Sequence, residues 1–286
     1  MMIGYGGLPE AFTNYSTSKV AVLPVAYDGT STWVKGADKG PYALLEASAN
    51  MEVYDIETNS EVYRIGIFTD EIMEGDFSSP DQMVSAVRSR TLKLINDGKL
   101  VATIGGEHSV SIGAVQAHAR TYDHLTVLQI DAHADMRSSY EGSPYNHACV
   151  MARVKELCPV VQVGIRSMDS SEKTNIDPHR VFWAHQLVAN NSWMDEAIDL
   201  ITPNVYITFD LDGFDPSIFP STGTPEPGGL LWYPTLTFLR KVIESRNLVG
   251  FDIVELCPNP LDKSSDFLAA KLLYKILSYK YLNTVV

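Results

Sequence analysis

Cysteine is scarce in this sequence, and its placement excludes two common kinds of site. Only three of the 286 residues are cysteines, namely Cys149, Cys158 and Cys257, and no two of them form a Cys-x-x-Cys pair. This arrangement supplies neither a disulfide framework nor the usual cysteine ligands of zinc, and it is typical of a reducing compartment. Hydrophobic residues make up 45% of the chain, so we expect a globular protein with a large apolar core.

Positive charge, long apolar runs and targeting signals are also lacking. Lys and Arg number 22 against 35 Asp and Glu, which gives a formal net charge of −13. Such a balance argues against nucleic-acid or anionic-membrane partners and favours cationic ligands. No apolar run approaches the roughly 20 residues of a membrane span, and residues 1–10 lack the basic and apolar segments of a signal peptide. We therefore expect a cytoplasmic protein.

Short β-branched segments alternate along the chain with longer amphipathic ones. The short segments are apolar at consecutive positions, as in strands of a parallel sheet covered by helices on both faces. We predict strands at residues 19–24, 62–68, 100–104, 126–130, 160–165, 180–183, 205–209 and 248–254. We predict helices at residues 81–96, 109–119, 147–157, 194–201, 234–245 and 264–281. Because no repeat or linker divides the chain, we expect one α/β domain over residues 1–286, with three α/β/α layers around a mainly parallel sheet of roughly eight strands.

Three predicted strands, those at 100–104, 126–130 and 205–209, end in side chains that can bind metal ions. In order along the chain, these side chains are His108, Asp131, His133, Asp135, Asp210 and Asp212. Ligands of an open parallel sheet bind at the carboxyl ends of its strands, so we expect the six to form one site. The four carboxylates would repel one another, and two divalent cations would balance their charge. Oxygen-rich ligands with two imidazoles and no thiolate favour Mn²⁺ over Zn²⁺ or copper, which predicts two Mn²⁺ ions per subunit.

Structural explanations also exist for parts of this pattern. An isolated Asp-x-Asp such as 210–212 is more often a turn or a cap, and Gly105-Gly106 equally fits a tight turn before a helix capped by Ser109. The set at 131–135 is harder to explain in this way, because burying three unpaired ionisable groups is costly. Four histidines lack a partner motif and are expected to be surface or core residues: His118, His124, His179 and His185.

The motifs that carry the six candidate ligands resemble those of a known family. Residues 105–109 (GGEHS), 131–135 (DAHAD) and 209–216 (FDLDGFDP) are similar to the three metal motifs of the ureohydrolase family, which includes arginases and agmatinases. Further similarity lies in residues 28–30, 36–41, 222–229 and 252–255. The resemblance extends from about Val20 to the last predicted helix, with the motifs in the family's order.

The resemblance implies a role for each ligand. One Mn²⁺ would be held by His108, Asp131, Asp135 and Asp210, and the other by His133, Asp131, Asp210 and Asp212. Asp131 and Asp210 would bridge the two ions. A hydroxide held between the ions would attack the guanidinium carbon of the substrate, and the products would be urea and an amine.

The resemblance also implies three residues that act on the substrate. His147 matches the family's proton-shuttling histidine, which would protonate the leaving amine. Glu255 matches its guanidinium-binding glutamate, and Thr224 would help to hold the guanidinium or the hydroxide. The expected catalytic residues are thus Asp135, His147 and Glu255. Two structural alternatives remain open. His147 is alternatively an ordinary residue at the start of a helix, and Thr224 is alternatively a residue that only helps to form a turn.

Arg137 is the main clue to the substrate. Arginases of the family carry an asparagine at this position that helps to read the α-amino acid head, whereas residues 137–147 and 164–167 resemble the agmatinase branch. We therefore predict hydrolysis of agmatine to putrescine and urea, a step of polyamine biosynthesis. Arg137 itself either pairs with a local acid such as Glu141 or reads the carboxylate of an acidic guanidino substrate.

Other assignments remain open. The substrate is alternatively 4-guanidinobutyrate or arginine. Deacetylases of related fold use a single zinc, but the presence of both His108 and Asp212 argues against this reaction. A metal-binding member without activity is a third alternative, although every ligand is present together with His147 and Glu255. The resemblance further implies a homo-oligomer, a trimer or a hexamer, and a small cationic guanidino compound as substrate.

Overall fold

The structure is a computed structural model that describes residues 4–75 and 77–284. Within them, eight parallel strands form one sheet with the order β2-β1-β3-β8-β7-β4-β5-β6. The strands are β1 Val20–Val25, β2 Ile67–Thr69, β3 Leu100–Gly105, β4 Leu125–Ile130, β5 Val160–Ile165, β6 Val181–Trp183, β7 Asn204–Asp210 and β8 Asn247–Val254. The helices are α1 Gly40–Ser48, α2 Pro80–Asn96, α3 Val110–Thr121, α4 Val150–Lys155, α5 Ala184–Leu187, α6 Ser192–Asp199, α7 Trp232–Ser245 and α8 Ser264–Lys280. The predicted α/β fold around a parallel sheet of eight strands is confirmed.

Helices cover both faces of the sheet, because its central strands are apolar on both sides. The strands β1, β4 and β5 are buried at every residue. One apolar core packs α1, α6, α7 and α8 against one face, and a second core packs α2, α3 and α4 against the other. Among the described residues, no helix is both long and apolar enough to cross a membrane.

The predicted strand at 62–68 is wrong in its first part. Val62–Ile65 forms a 3-10 helix, and only Ile67–Thr69 pairs with β1. Gly66 separates the two with a left-handed φ of 82°, and an added Cβ there would lie 2.6 Å from Cα of Ser18. The apolar residues before this glycine enter the core from a helix, which a short apolar run does not distinguish from a strand.

Three helices also differ from the prediction. The predicted helix at 147–157 begins as a 3-10 turn at His147–Cys149 and continues as α4. The sequence did not predict α1 or α5. Gly40 and Pro41 conceal the start of α1, although proline is well suited to a first helical turn. Helix α5 has only four residues, too few for a helical period to be visible.

The glycine pair at the end of β3, Gly105 and Gly106, brings the chain close to Tyr27 before Glu107 and His108. Gly106 passes so close to Tyr27 that an added Cβ would lie 1.9 Å from the Tyr27 carbonyl oxygen. The N–H of Glu107 donates to that same oxygen at 2.9 Å. Ser109 makes no capping hydrogen bond to α3, since its hydroxyl donates to Glu107 at 2.8 Å. The part of the alternative in which the Ser109 side chain caps the helix is therefore wrong, although Ser109 does occupy the N-cap position.

Candidate metal centre and active site

The six candidate ligands lie together at the carboxyl edge of the sheet. They lie at the carboxyl ends of β3, β4 and β7. In the sheet β7 pairs with β4, and β8 lies between β3 and β7. Five of the six are buried, and His133 keeps 26% of its side chain exposed. The structure thus brings the three sequence motifs into one cluster, and their role as metal ligands stays a prediction.

The first group of ligands forms around Nδ1 of His108. This nitrogen lies 2.8 Å from Oδ2 of Asp135 and 3.3 Å from Oδ2 of both Asp131 and Asp210. Despite these distances, it makes no hydrogen bond of acceptable geometry to any described residue. Buried polar atoms are almost always hydrogen-bonded, so a ring nitrogen left unpaired among carboxylates fits a ligand of a metal ion.

A second group forms around His133. Its Nδ1 lies 2.9 Å from Oδ2 of Asp212 and 3.7 Å from Oδ1 of Asp131. Asp131 belongs to both groups. The potential ligand atoms of His108, Asp131 and Asp135 lie within 4.8 Å of one another, and so do those of Asp131, His133 and Asp212. The residues therefore fit two neighbouring cations that share the Asp131 carboxylate, and the donor set of carboxylates and imidazoles suits divalent metals.

Burial and mutual repulsion raise the pKa of carboxyl groups in this cluster. Burial, with the nearby Asp212 and Asp135, raises the pKa of Asp131 to about 7. Burial and the charges of Asp212 and Asp131 hold the pKa of Asp210 well above its usual range. Burial disfavours the imidazolium of His133, but Asp212 outweighs it and raises the pKa of His133 to about 10. The metal-free cluster thus retains protons near neutral pH, and divalent cations would take their place.

Two buried glutamines support Asp131, and the sequence analysis missed them. The amide of Gln129 donates to Oδ2 of Asp131 at 2.7 Å, and the amide of Gln162 donates to Oε1 of Gln129 at 2.6 Å. Both side chains are buried within otherwise apolar strands, β4 and β5. A polar residue inside a continuous apolar run was the available signal, because a buried amide must find a partner.

A buried hydroxyl and a buried carboxylate support His108 in the same way. Nε2 of His108 lies 2.9 Å from Oγ1 of Thr208, which donates to Oδ1 of Asp252 at 2.7 Å. The hydroxyl of Tyr206 donates to Oδ2 of Asp252, also at 2.7 Å. Metal-binding histidines commonly donate their second ring N–H to such an outer partner, which fixes the tautomer and the ring orientation.

Glu255 lies directly after β8, beside the candidate ligand His108. Its Oε1 accepts the backbone N–H of His108 at 2.7 Å, and its own N–H donates to the carbonyl of Gly106 at 2.8 Å. Its φ of 66° is left-handed, as is the φ of 54° at Asp135. Burial raises the pKa of Glu255 well above its usual range, and the nearby Glu107 adds to the effect.

A cavity of about 300 Å³ is lined by five of the six candidate ligands, all except Asp131. The predicted substrate residues His147, Thr224, Glu255 and Arg137 line it together with the cluster. Trp33, Tyr140, Asp169 and Glu172 also line the cavity, and the sequence analysis missed these four. Among the described residues Thr224 has no hydrogen-bond partner that would separate a role in substrate binding from a role in a turn, so its role stays a prediction.

The expected pairing of Arg137 with Glu141 is wrong. The guanidinium lies 3.8 Å from Oδ2 of Asp169 and 3.7 Å from Oε1 of Glu172, and it stacks over the ring of Tyr140 at 4.5 Å. Both acids belong to the loop after β5, more than 30 positions along the chain. The charge of Arg137 is thus already balanced by two carboxylates at the wall of the cavity.

The four histidines without a motif do not line the cavity. His118 is fully buried in α3, where its Nδ1 donates to the carbonyl of Ala114 at 2.8 Å. Burial lowers the pKa of His118 to about 4. His124, His179 and His185 are exposed. The expectation of surface or core residues agrees with these positions.

Comparison with known proteins agrees with the geometry of the site. The sequence profile described as "Arginase family" matches residues 18–278. An N(1)-aminopropylagmatine ureohydrolase of Synechocystis sp. is 42% identical over 280 residues, which cover 94% of this chain and 92% of that protein. An agmatinase of Pyrococcus horikoshii is 30% identical over 262 residues, which cover 90% of both chains.

Solved structures show the same fold. The agmatine ureohydrolase of Thermoplasma volcanium superimposes with a TM-score of 0.83 at 32% identity, over 95% of this chain and 93% of that one. Sequence and fold thus agree over nearly the whole length, and the motifs that converge on the metal cluster lie within the matched residues. The chain belongs to the arginase family and is a ureohydrolase, a hydrolase that acts on guanidino compounds.

Proposed function

We propose that this ureohydrolase hydrolyses N(1)-aminopropylagmatine to urea and spermidine. The proposal is carried by the 42% identity, over 94% of the chain, to a protein of that name. The chemistry is consistent with the name, because removal of the amidino group of this compound as urea leaves spermidine. The substrate is a polycation, and it suits a chain with a net charge of −13.

Glu255 would bind the guanidinium group of the substrate. One of its oxygens is held by the backbone N–H of His108, which fixes the plane of the carboxylate. Burial raises the pKa of Glu255, so its ionised form needs a cation nearby, and a guanidinium supplies one. Paired hydrogen bonds from the planar guanidinium would then place its carbon beside the metal cluster.

The six clustered side chains would hold two Mn²⁺ ions, with Asp131 and Asp210 shared between them. When bound, the ions supply a water whose pKa is lowered enough for nucleophilic attack near neutral pH. The protein's own contribution is to hold the ligands in place through Gln129 and Thr208. Manganese remains our proposal on the grounds of the oxygen-rich donor set.

His147 would deliver a proton to the leaving amine. Addition of water to the guanidinium carbon and cleavage of one C–N bond give urea, and the departing nitrogen must be protonated. His147 lines the cavity with the metal cluster and Glu255. A histidine is well suited to such a transfer near neutral pH. The predicted proton shuttle therefore remains our proposal.

Agmatine is the second candidate substrate, as the sequence predicted. The agmatinase of Pyrococcus horikoshii and the structure of agmatine ureohydrolase from Thermoplasma volcanium favour it. Agmatine shares the guanidinium end with the first candidate and lacks only the aminopropyl arm. Arginine and 4-guanidinobutyrate carry a carboxylate instead, and the cation nearest to receive it, Arg137, is already balanced by Asp169 and Glu172.

A urea-release assay on the Mn²⁺-loaded protein tests the proposal. We expect the highest kcat/KM for N(1)-aminopropylagmatine and a value about tenfold lower for agmatine. Arginine and 4-guanidinobutyrate should give lower values again. The Glu255→Gln variant is the matched control for contaminating activity. A higher kcat/KM for agmatine would replace the first candidate by the second. Absence of urea from all four compounds would overturn both.

Three further expectations remain proposals. We propose that residues 1–286 form one domain, that the protein is cytoplasmic, and that it assembles as a trimer or a hexamer. The proposed assembly rests on the resemblance of the motifs to those of the family. Light scattering coupled to gel filtration would measure the mass of the assembly, and a monomer would contradict the proposal.

A further inference from the structure

The side chain of Thr30 lies between His147 and Glu107. Its Oγ1 is 3.2 Å from Nδ1 of His147, 3.0 Å from the backbone nitrogen of His147 and 2.9 Å from Oε1 of Glu107. Thr30 is 8% exposed and Glu107 is fully buried, so the three groups satisfy one another with little help from solvent. The proposed reaction gives no role to either Thr30 or Glu107.

The Thr30 hydroxyl has one hydrogen to donate and two lone pairs, and this fixes the direction of each of its hydrogen bonds. A hydroxyl donates once and has two lone pairs, and an ionised carboxylate only accepts. The backbone N–H of His147 must donate, so it occupies one lone pair of Oγ1. The hydroxyl proton is directed to Glu107. The second lone pair is then left for Nδ1 of His147, which must carry a hydrogen to use it.

Glu107, which accepts the hydrogen bond from Thr30, is held in place by Ser109. The backbone N–H of Ser109 donates to its Oε2 at 2.8 Å, and the Ser109 hydroxyl donates to its Oε1 at 2.8 Å. With the two donors of Ser109 and the hydroxyl of Thr30 around it, the Glu107 carboxylate serves as an acceptor.

The loop that carries Thr30 is closed on itself, which fixes the hydroxyl in place. Oδ2 of Asp28 accepts the N–H of Gly36 at 2.6 Å and the N–H of Ala37 at 3.3 Å. Sγ of Cys257, close to the end of β8, lies 3.6 Å from the carbonyl oxygen of Lys35. Both ends of residues 28–37 are thus tied, which restricts the loop that carries Thr30.

We propose that Thr30 and Glu107 are positioning residues that hold His147 as the Nδ1–H tautomer, with Nε2 as the atom that exchanges the proton. The proposal rests on the proposed function, in which His147 protonates the leaving amine. The arrangement follows the same logic as a carboxylate that orients a catalytic histidine, with a threonine hydroxyl inserted between the two. Neither residue touches the substrate in this proposal.

The tautomer of His147 tests the proposal without any substrate. Long-range ¹⁵N–¹H correlation spectra of ¹⁵N-histidine-labelled protein, loaded with diamagnetic Mg²⁺, report which ring nitrogen carries the hydrogen. The His147→Ala variant assigns the signal among the seven histidines. We expect the Nδ1–H form in the wild type and in Thr30→Ser, and loss of this preference in Thr30→Val and Glu107→Gln.

Kinetics of the Mn²⁺-loaded variants supply the second readout. We expect Thr30→Val to lower kcat by about tenfold to a hundredfold, as for lost outer partners of other oriented histidines, with KM and metal content nearly unchanged. Thr30→Ser keeps the hydroxyl and should restore most of kcat. An Nε2–H tautomer in the wild type, or an unchanged kcat in Thr30→Val, would overturn the proposal. Absence of urea release by the wild type would instead overturn the proposed function, and the tautomer would still decide the role of Thr30.

Discussion

Nε2 of His108 lies 2.9 Å from the hydroxyl of Thr208. Because that hydroxyl donates onward to the buried Asp252, the ring of His108 must donate from Nε2 and direct Nδ1 at the three carboxylates. Thr208 of β7 and Asp252 of β8 thus set the orientation of the His108 ring. Metal affinity should depend on side chains that never contact the metal.

The Thr208→Val variant should bind one of its two metal ions more weakly. The loss of the outer hydrogen bond frees the His108 ring and leaves its N–H unpaired, so we expect the affinity of one site to fall by about tenfold to a hundredfold. Competition with a chelator of known affinity would measure it. Thr208→Ser, which keeps the hydroxyl, is the matched control and should bind as the wild type does. Equal affinities in Thr208→Val and the wild type would show that the ring needs no such support.

Metal removal should destabilise the protein more at pH 8 than at pH 6. In the metal-free state the pKa of Asp131 is about 7, above the value of about 4 expected in the unfolded chain. The stability from its bound proton is therefore complete below pH 4 and is lost as pH rises through 7. The raised pKa of His133, about 10, acts in the same direction, because the stability from its bound proton is complete only below about pH 6.5 and is lost as pH rises through 10.

Thermal unfolding with and without a chelator measures this effect. The difference in Tm between the metal-loaded and metal-free protein should grow from pH 6 to pH 8, because protons no longer replace the metal ions. An Asp212→Asn variant, with fewer charges in the cluster, should show a smaller dependence on pH. A difference in Tm that shrinks with rising pH would contradict the assignment of these carboxylates to the metal site.

Replacement of Glu255 by glutamine should impair the reaction and leave the metals bound. The variant retains the oxygen that can accept the N–H of His108 but loses the charge that faces the guanidinium. Hydrogen bonds to charged groups contribute about 1.5–3 kcal/mol, so kcat/KM should fall by about one to two orders of magnitude. Steady-state kinetics with metal analysis by mass spectrometry would test this. Wild-type kinetics in the variant would place the guanidinium elsewhere.

Replacement of Arg137 by methionine should favour substrates with a cationic tail. The change keeps the apolar contact with Tyr140 and removes the cation that balances Asp169 and Glu172. Because exposed ion pairs contribute about 0.2–1 kcal/mol, we expect kcat/KM for agmatine to rise by about two- to fivefold. 4-Guanidinobutyrate, assayed in parallel, should not gain. If 4-guanidinobutyrate is a good substrate of the wild type and a poor substrate of the variant, Arg137 binds its carboxylate.

The fold and the cluster of ligands were predictable because both depend on local patterns. A strand buried on both faces is a continuous apolar run, and the residue that follows it lies at the edge where ligands collect. The partners of these residues depend on register and long-range contacts. Gln162 meets Gln129 only because β5 pairs with β4, and Arg137 meets Glu172 across a separate loop. The sequence contained these residues but did not indicate which ones would meet.

The left-handed φ angles at Asp135 and Glu255 have a consequence for how this enzyme can evolve. A left-handed conformation costs a residue such as Glu255 about 1 kcal/mol or more relative to glycine, whereas asparagine and aspartate tolerate it better. Selection for heat resistance alone would therefore drive both positions toward glycine or asparagine. Each such change would remove a carboxylate from the cavity. Under the proposed function, the protein thus gives up thermal stability at two positions in order to keep its chemistry, and a search for more stable variants that ignores turnover would select against the active site first.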